Sequence, residues 1–219
     1  MSGRRPGRSL GKPPAPRRVE GETVWLFGLH AVGDALRNPR RAKRRLILTP
    51  NAARKLADAL AEADVAPELL EPRRFAAPLD PGSVHQGAAL EAAPLDWGAL
   101  ETVCAPAPGA AAPVVLLLDR VTDPHNVGAA LRSAAVFGAA AVIAPRRHAA
   151  PESGALAKAA SGALERQPYL RVANLARTIE SLRGLGYRVV GLDGAGTATL
   201  DAALGAARGA PLAVALGAE

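Results

Sequence analysis

Gly128 and Arg132 stand four residues apart in the stretch from Pro113 to Gly138, PVVLLLDRVTDPHNVGAALRSAAVFG, and Asn126 lies two residues before Gly128. Residues four apart share one helical face. A glycine on that face lets another backbone or a ligand approach closely. A guanidinium one turn into an otherwise apolar helix requires an anionic or carbonyl partner. The residue types leave two readings open. One is a site that holds an anion. The other is a structural salt bridge from helix to loop, to Asp119 or Asp123.

The flanking pattern says what must position these groups. Val114 to Leu118 is a short apolar run bounded by turn-formers and reads as a buried strand. Asp119, Asp123, Pro124 and Asn126 form a polar loop. Val127, Leu131, Ala134 and Ala135 then recur with helical spacing, which predicts a helix with Asn126 at its N-cap. The polar residues therefore gather where a strand's carboxyl end meets a helix start, the place where open α/β sheets put their sites.

Other chemistry is poorly represented. No Walker A sequence is present. Gly194-Ala-Gly196-Thr-Ala-Thr199 approaches a dinucleotide fingerprint but lacks its third glycine, so it reads as a loop. No pair of histidines has metal-ligand spacing, and no metal is expected. His30 reads as a helix-start or core residue, and His148 as part of a solvated basic loop. Cys104 has no neighbouring base to make it a nucleophile. As the only cysteine, it also excludes a disulfide framework and suits a reducing, cytoplasmic setting.

Charge points to a polyanionic partner. The chain of 219 residues carries a net +7, and residues 1–19 hold six bases and no acid. Arg37, Arg40, Arg41, Lys43, Arg44 and Arg45 place six more bases in nine residues. Both clusters, with Arg146 and Arg147 further on, suggest contact with RNA or DNA. The plainer reading is a solvated surface rich in arginine, since only four of the 27 bases are lysine. Aromatic residues make up 3%, so phosphate and shape contacts would outweigh base stacking. No apolar run approaches the ~20 residues of a membrane span. The first residues lack the apolar core of a secretory signal, and their prolines and glycines break any amphipathic transit helix.

Read in order, residues 1–21 form a disordered basic tail and residues 22–93 a small α/β domain. In that domain Val24–Gly28, Leu46–Thr49, Glu68–Leu70 and Ala88–Ala92 are predicted strands, and the Arg37 to Arg45 cluster is a predicted surface loop. Asn51 is the expected cap of a helix with Ala53, Leu56, Ala57 and Leu60 on one face. Residues 94–112 read as a linker rich in Pro, Gly and Ala. Residues 113–219 alternate strand and helix, with strands at 114–118, 140–144, 169–172, 187–192 and 212–216, which predicts a largely parallel sheet. Asn174 is the expected cap of the helix that carries Leu175, Ile179 and Leu182.

DRVTDPHNVGAALRSAAVFGAAAVI resembles motif 1 of the SpoU (TrmH-like) RNA ribose 2′-O-methyltransferases of the SPOUT superfamily, and LAVALGAE resembles the opening of their motif 2. VWLFGLHAVGDAL and SVHQGAALEA are similar to the amino-terminal substrate-binding domain of the branch that methylates a guanosine ribose of large-subunit ribosomal RNA. The resemblance implies an α/β fold: a small ribosomal-protein L30e-like domain plus a SPOUT-type parallel-sheet domain with a trefoil knot, a rare exception to unknotted topology. It implies S-adenosylmethionine as donor, ribosomal RNA as partner and a homodimer. By motif position Asn126, Arg132 and Glu219 would be catalytic, and Leu192 and Gly217 would line the donor pocket. The sequence stops within motif 2, so the knot is expected to be incomplete and donor binding weak. The family pattern proposes the motif 1 arginine as base. A guanidinium is a poor base, so Arg132 is read alternatively as a phosphate holder and alkoxide stabiliser. Two further classes stay in view: a non-catalytic RNA-binding module, and a Rossmann-type dinucleotide protein, against which the broken glycine pattern argues.

Overall fold

The computed structural model describes residues 22–217. The basic tail and Glu219 lie outside the described residues. Two sheets are present. The amino-terminal one is built from β1 (Val24–Phe27), β2 (Lys43–Leu48), β3 (Pro67–Leu69) and β4 (Ala88–Ala92), in the order β1-β4-β2-β3. β4 runs antiparallel to both β1 and β2, and β3 is parallel to β2. Helices α1 (Leu29–Arg37), α2 (Pro50–Lys55) and α3 (Ala57–Ala61) pack Val32, Leu36, Ala52 and Ala59 onto Leu26, Leu46, Leu48 and Leu90. Two expectations change here. Thr49, not Asn51, caps α2: its side chain accepts from the Ala52 N–H at 3.3 Å, and Pro50 supplies a helical φ in the first turn. The expected single helix is divided at Leu56, whose φ of −104° and ψ of 13° leave the helical range while its N–H still donates to Ala52 O at 3.0 Å. Its inward face is Ala52, Leu56 and Ala59, while Ala57 is exposed.

The second sheet follows α4 (Leu100–Val103). It contains β5 (Val114–Asp119), β6 (Ala141–Pro145), β7 (Tyr169–Val172), β8 (Arg188–Leu192) and β9 (Leu212–Gly217), all parallel, in the order β7-β6-β5-β9-β8. Helices α5 (Pro124–Phe137), α6 (Gly154–Ala160), α7 (Leu175–Gly184) and α8 (Leu200–Ala206) connect them. Near-continuous apolar strands are what a parallel sheet with covered faces requires. α7 starts at the expected cap, Asn174, which accepts from the Arg177 N–H at 3.0 Å. One face packs Leu118 and Val142 under Val127, Leu131 and Leu156, and this cluster is continuous with the core of the first sheet. The other face packs Val115, Leu117 and Ile143 against Leu182, Tyr187 and Cys104. Part of the stretch read as a linker is thus core. Cys104 is fully buried behind α4, and the Tyr187 hydroxyl donates to its carbonyl at 2.8 Å.

Candidate active site

From β5 the chain steps outward to β6 and β7, then returns to fill β8 and β9 on the other side. The topological switch point is therefore between β5 and β9, where the register pairs Asp119 with Gly217. The polar loop after β5 leads into α5. The cap of α5 is Asp123, whose carboxylate accepts from the His125 N–H at 2.9 Å, with Pro124 in the first turn. This corrects the expected cap at Asn126. The extended Asp123 followed by proline fixes the start three residues earlier, so Asn126 lies inside the first helical turn, exposed. The Ala150 N–H donates to Val121 O at 3.1 Å and ties this loop to the one that follows β6.

Arg132 finds the carbonyl partner that its position demands. Its Nη1 donates to Ala159 O near the end of α6, and neither Asp119 nor Asp123 pairs with it among the described residues. Gly128 explains how α6 comes so near. A Cβ there would lie 2.7 Å from Ala159 Cβ and 2.8 Å from its carbonyl carbon. The shared face of Gly128 and Arg132 is therefore the face against α6. One of the guanidinium's five N–H groups is used, and the side chain remains exposed for others.

Across the switch point, Leu192 and Gly217 line one cleft of about 820 Å³. Its walls also include Val190, Gly191, Leu216 and the loop from Asp193 to Thr199. Asp193 holds that loop by accepting from the Ala195 N–H at 2.9 Å. The glycines at 194 and 196, read from sequence only as a loop, are part of the cleft wall; their clustering after a strand is the signal that marks them.

The basic residues divide. Arg37 and Arg44 are exposed and make no ion pair among the described residues, and Arg147 is exposed. Arg40 lies over the Trp97 ring at 4.5 Å and donates to Asp96 O at 2.9 Å. Arg45 forks onto Glu68 at 2.8 and 2.9 Å. Arg146 donates to Arg171 O at 3.1 Å and remains exposed beside a cleft of about 460 Å³ at the junction of the two sheets. Two of the expected RNA contacts are corrected. Lys43 is only 3% exposed at its side chain, bound to Asp64 at 2.9 Å and Asn38 O at 3.1 Å. Arg41 has no exposed side-chain surface at all. The cluster is not a surface loop, because β2 begins at Lys43 and Arg41 turns inward just before it.

Three groups are held in their neutral forms, one of them the Tyr187 hydroxyl, which burial raises to about 12. Burial pushes the Cys104 thiol up to about 11, which removes it as a nucleophile near neutral pH. Burial also raises the Tyr169 hydroxyl to about 12, and it donates to Ala150 O at 2.8 Å. No group of three or more His, Cys, Asp or Glu with metal-ligand geometry occurs among the described residues, and no helix there is long and apolar enough to cross a membrane.

The profile of the SpoU rRNA methylase family matches residues 113–219, and that of the RNA 2′-O ribose methyltransferase substrate-binding domain matches residues 25–97. The 23S rRNA (guanosine-2′-O-)-methyltransferase RlmB of Vibrio vulnificus is 36% identical over 201 residues, covering 89% of this chain and 79% of that protein. The chain belongs to the SpoU rRNA methylase family. An uncharacterized tRNA/rRNA methyltransferase of Mycobacterium avium is 34% identical over 215 residues, covering 97% of this chain and 69% of that protein. A Burkholderia RlmB is 53% identical over 108 residues, or 49% of this chain and 42% of that protein. The SpoU fold is also seen in AviRb from Streptomyces viridochromogenes, whose structure was solved with AdoMet (TM-score 0.63, 20% identity, 90% of this chain and 74% of that one). By family the chain is an RNA 2′-O-methyltransferase, with a SpoU substrate-binding domain ahead of a SpoU parallel sheet.

Proposed function

We propose that this protein transfers a methyl group from S-adenosylmethionine to a ribose 2′-hydroxyl of RNA, a guanosine of large-subunit ribosomal RNA, and does so as a homodimer. The observation that carries the reading is the switch point. There the loop leading to Asn126 and Arg132 adjoins, through the Asp119 to Gly217 register, the cleft lined by Leu192 and Gly217. The cleft suits the donor: it falls within the ~300–1,000 Å³ range of ligand sites and combines apolar Val190, Leu192 and Leu216 with glycine backbone that offers N–H and C=O groups. When bound, the donor supplies an electrophilic methyl on a sulfonium.

The residues of the chain then have distinct tasks. Arg132, held by Ala159 O, would present its remaining N–H groups to an RNA phosphate and to the 2′-oxygen, which gains negative charge as its proton passes to solvent water and the methyl passes from sulfur to oxygen, leaving the donor as a neutral thioether. Asn126 offers a neutral amide at the helix start to orient the ribose. Arg37, Arg44, Arg146 and Arg147 carry exposed charge for the RNA backbone. Val136 and Phe137, 79% and 86% exposed at the end of α5, favour the dimer, which sedimentation equilibrium tests; a monomer at micromolar concentration removes that part.

The central test is transfer of labelled methyl to a ribosomal RNA fragment, with the product digested to nucleosides. The expected product is a 2′-O-methylnucleoside, and Arg132→Ala lowers the rate by about 10²–10³-fold, the usual cost of losing a charge-stabilising donor. Label on a base, or an unchanged rate in the variant, overturns the reading. A second reading, a non-catalytic RNA-binding module, is favoured by the exposed arginines, which do not depend on the cleft. Calorimetric titration separates the two: RNA binding with no S-adenosylmethionine binding supports the module.

A further inference from the structure

Arg41 is the largest fully buried side chain that carries a charge, and its carboxylate partners come from the other half of the molecule. Its Nη2 meets Glu165 Oε1 at 2.5 Å and its Nε meets Glu165 Oε2 at 3.2 Å. Its Nη1 donates to Glu152 and, at 2.8 Å, to Ala93 O. The side chains of Glu152 and Glu165 are 9% and 5% exposed. The Asn38 amide donates to Glu165 at 2.8 Å, and the Leu95 N–H to Glu152 at 3.3 Å. These two carboxylates bracket α6. Glu152 precedes Ser153, which caps the helix by accepting from the Leu156 N–H at 3.2 Å, and Glu165 closes the single 3-10 turn that follows it.

α6 and the turn that follows it meet the amino-terminal unit at two more points, one on β1 and one on α1. A Cβ on Gly154 would lie 2.6 Å from Trp25 O and overlap the Phe27 ring. A Cβ on Gly162 would overlap the Asp34 carboxylate. The opposite side of the same helix carries the Ala159 carbonyl that binds Arg132 and the surface on which Gly128 rests. An element gripped on one side and bearing the guanidinium on the other transmits position, because close-packed interiors have low compressibility.

Resting on the methyltransfer reading above, we propose that Arg41 is a positioning residue for the reaction: by holding Glu152 and Glu165 it fixes α6, and α6 fixes the Arg132 guanidinium. The amino-terminal unit then does more than bring RNA; its docking sets the geometry of Arg132.

The test compares the full chain with three variants, Arg41→Lys among them. Glu152→Gln is mild and keeps its shape. Arg41→Met/Glu152→Gln/Glu165→Gln removes all three charges together, an exchange that buried ion triads tolerate. Circular dichroism and thermal unfolding report the fold. The decisive readout is the Arg132 Nε–Hε resonance in the ¹⁵N-labelled chain, assigned with Arg132→Lys, together with amide exchange across residues 154–165. In the triple variant the resonance is expected to shift, α6 exchange to accelerate, and kcat to fall by about 10²-fold, as ~1 Å misplacements do, with RNA Kd unchanged. Glu152→Gln should give a smaller change of the same kind, and Arg41→Lys, which reaches one carboxylate, an intermediate one. An unchanged Arg132 resonance in a folded variant overturns the proposal. So does a loss of RNA affinity with kcat retained, which would return Arg41 to the RNA surface. If the parent chain transfers no methyl, the methyltransfer reading fails, while the resonance still decides whether α6 couples Arg41 to Arg132.

Discussion

The two flanks of the parallel sheet are built to different standards. On the flank of β5, β6 and β7, residues Val115, Leu117, Val142, Ile143 and Ala144 are fully buried, and α5 and α6 touch so closely that only glycine fits at position 128. On the flank of β8, Leu192 is 40% exposed, and α8 has no buried residue and leaves Leu200 45% exposed. Arg132 belongs to the first flank, Leu192 and the glycine-rich loop to the second. The difference teaches a division of labour. The charged group that must meet a developing oxyanion is set by dense packing, where reorganisation is small. The cleft for a flexible organic ligand is walled by exposed backbone of low local density, the kind of region that opens at low free-energy cost.

The sharpest way to break this comparison is to remove one charge from the junction. Arg41→Ala leaves two buried carboxylates without their cation and should destabilise the chain by about 3–5 kcal/mol in urea unfolding. Leu192→Ala, on the open flank, should stay within about 0.5–1 kcal/mol. Equal losses would mean that the flanks are equally packed. Next comes a pair of glycines. Gly128→Ala inserts a methyl into the α6 backbone and should cost about 1–3 kcal/mol. Gly191→Ala meets nothing within 4 Å and should be neutral or gain a few tenths, from a less mobile unfolded chain.

The smallest effect is with pH. Burial, only partly offset by Arg41 and reinforced by the neighbouring Glu165, raises the Glu152 carboxyl above its ordinary 4.5. A group raised in the folded state contributes fully below that ordinary value, and the contribution is lost as pH rises through the folded one. Glu152→Gln should therefore flatten the decline of stability on the alkaline side of about pH 4.5, seen as urea midpoints at successive pH values. Glu68 and Asp64 act in the opposite sense. Arg45 and Lys43 lower them, so their contributions are lost as pH falls.

Much of the fold was legible because it is local. Apolar runs marked all five parallel strands within a residue or two of their ends, and Asn174 was the cap that it appeared to be. The caps that were misplaced show the limit of that reading. Asn126 and Asn51 are good capping types, but Asp123-Pro124 and Thr49-Pro50 start their helices earlier, because proline presets the first helical φ. The site was half legible. Arg132 one turn into an apolar helix demanded a partner, and the family motif named its chemistry. Which partner it has, Ala159 O, depends on where α6 lies.

Arg41 was the residue most plainly hidden. Within RRAKRR it is indistinguishable from its neighbours, since its counter-charges Glu152 and Glu165 are 111 and 124 positions away. The sequence by itself determined the order of the strands, the basic character and the family, because these rest on periodicity, composition and contiguous motifs. Only the tertiary structure decided which arginines face solvent, which carbonyl holds Arg132, and that Arg41 pairs with Glu152 and Glu165. Those facts depend on chain segments far apart in sequence meeting at one place, and no local pattern of residues encodes such a meeting.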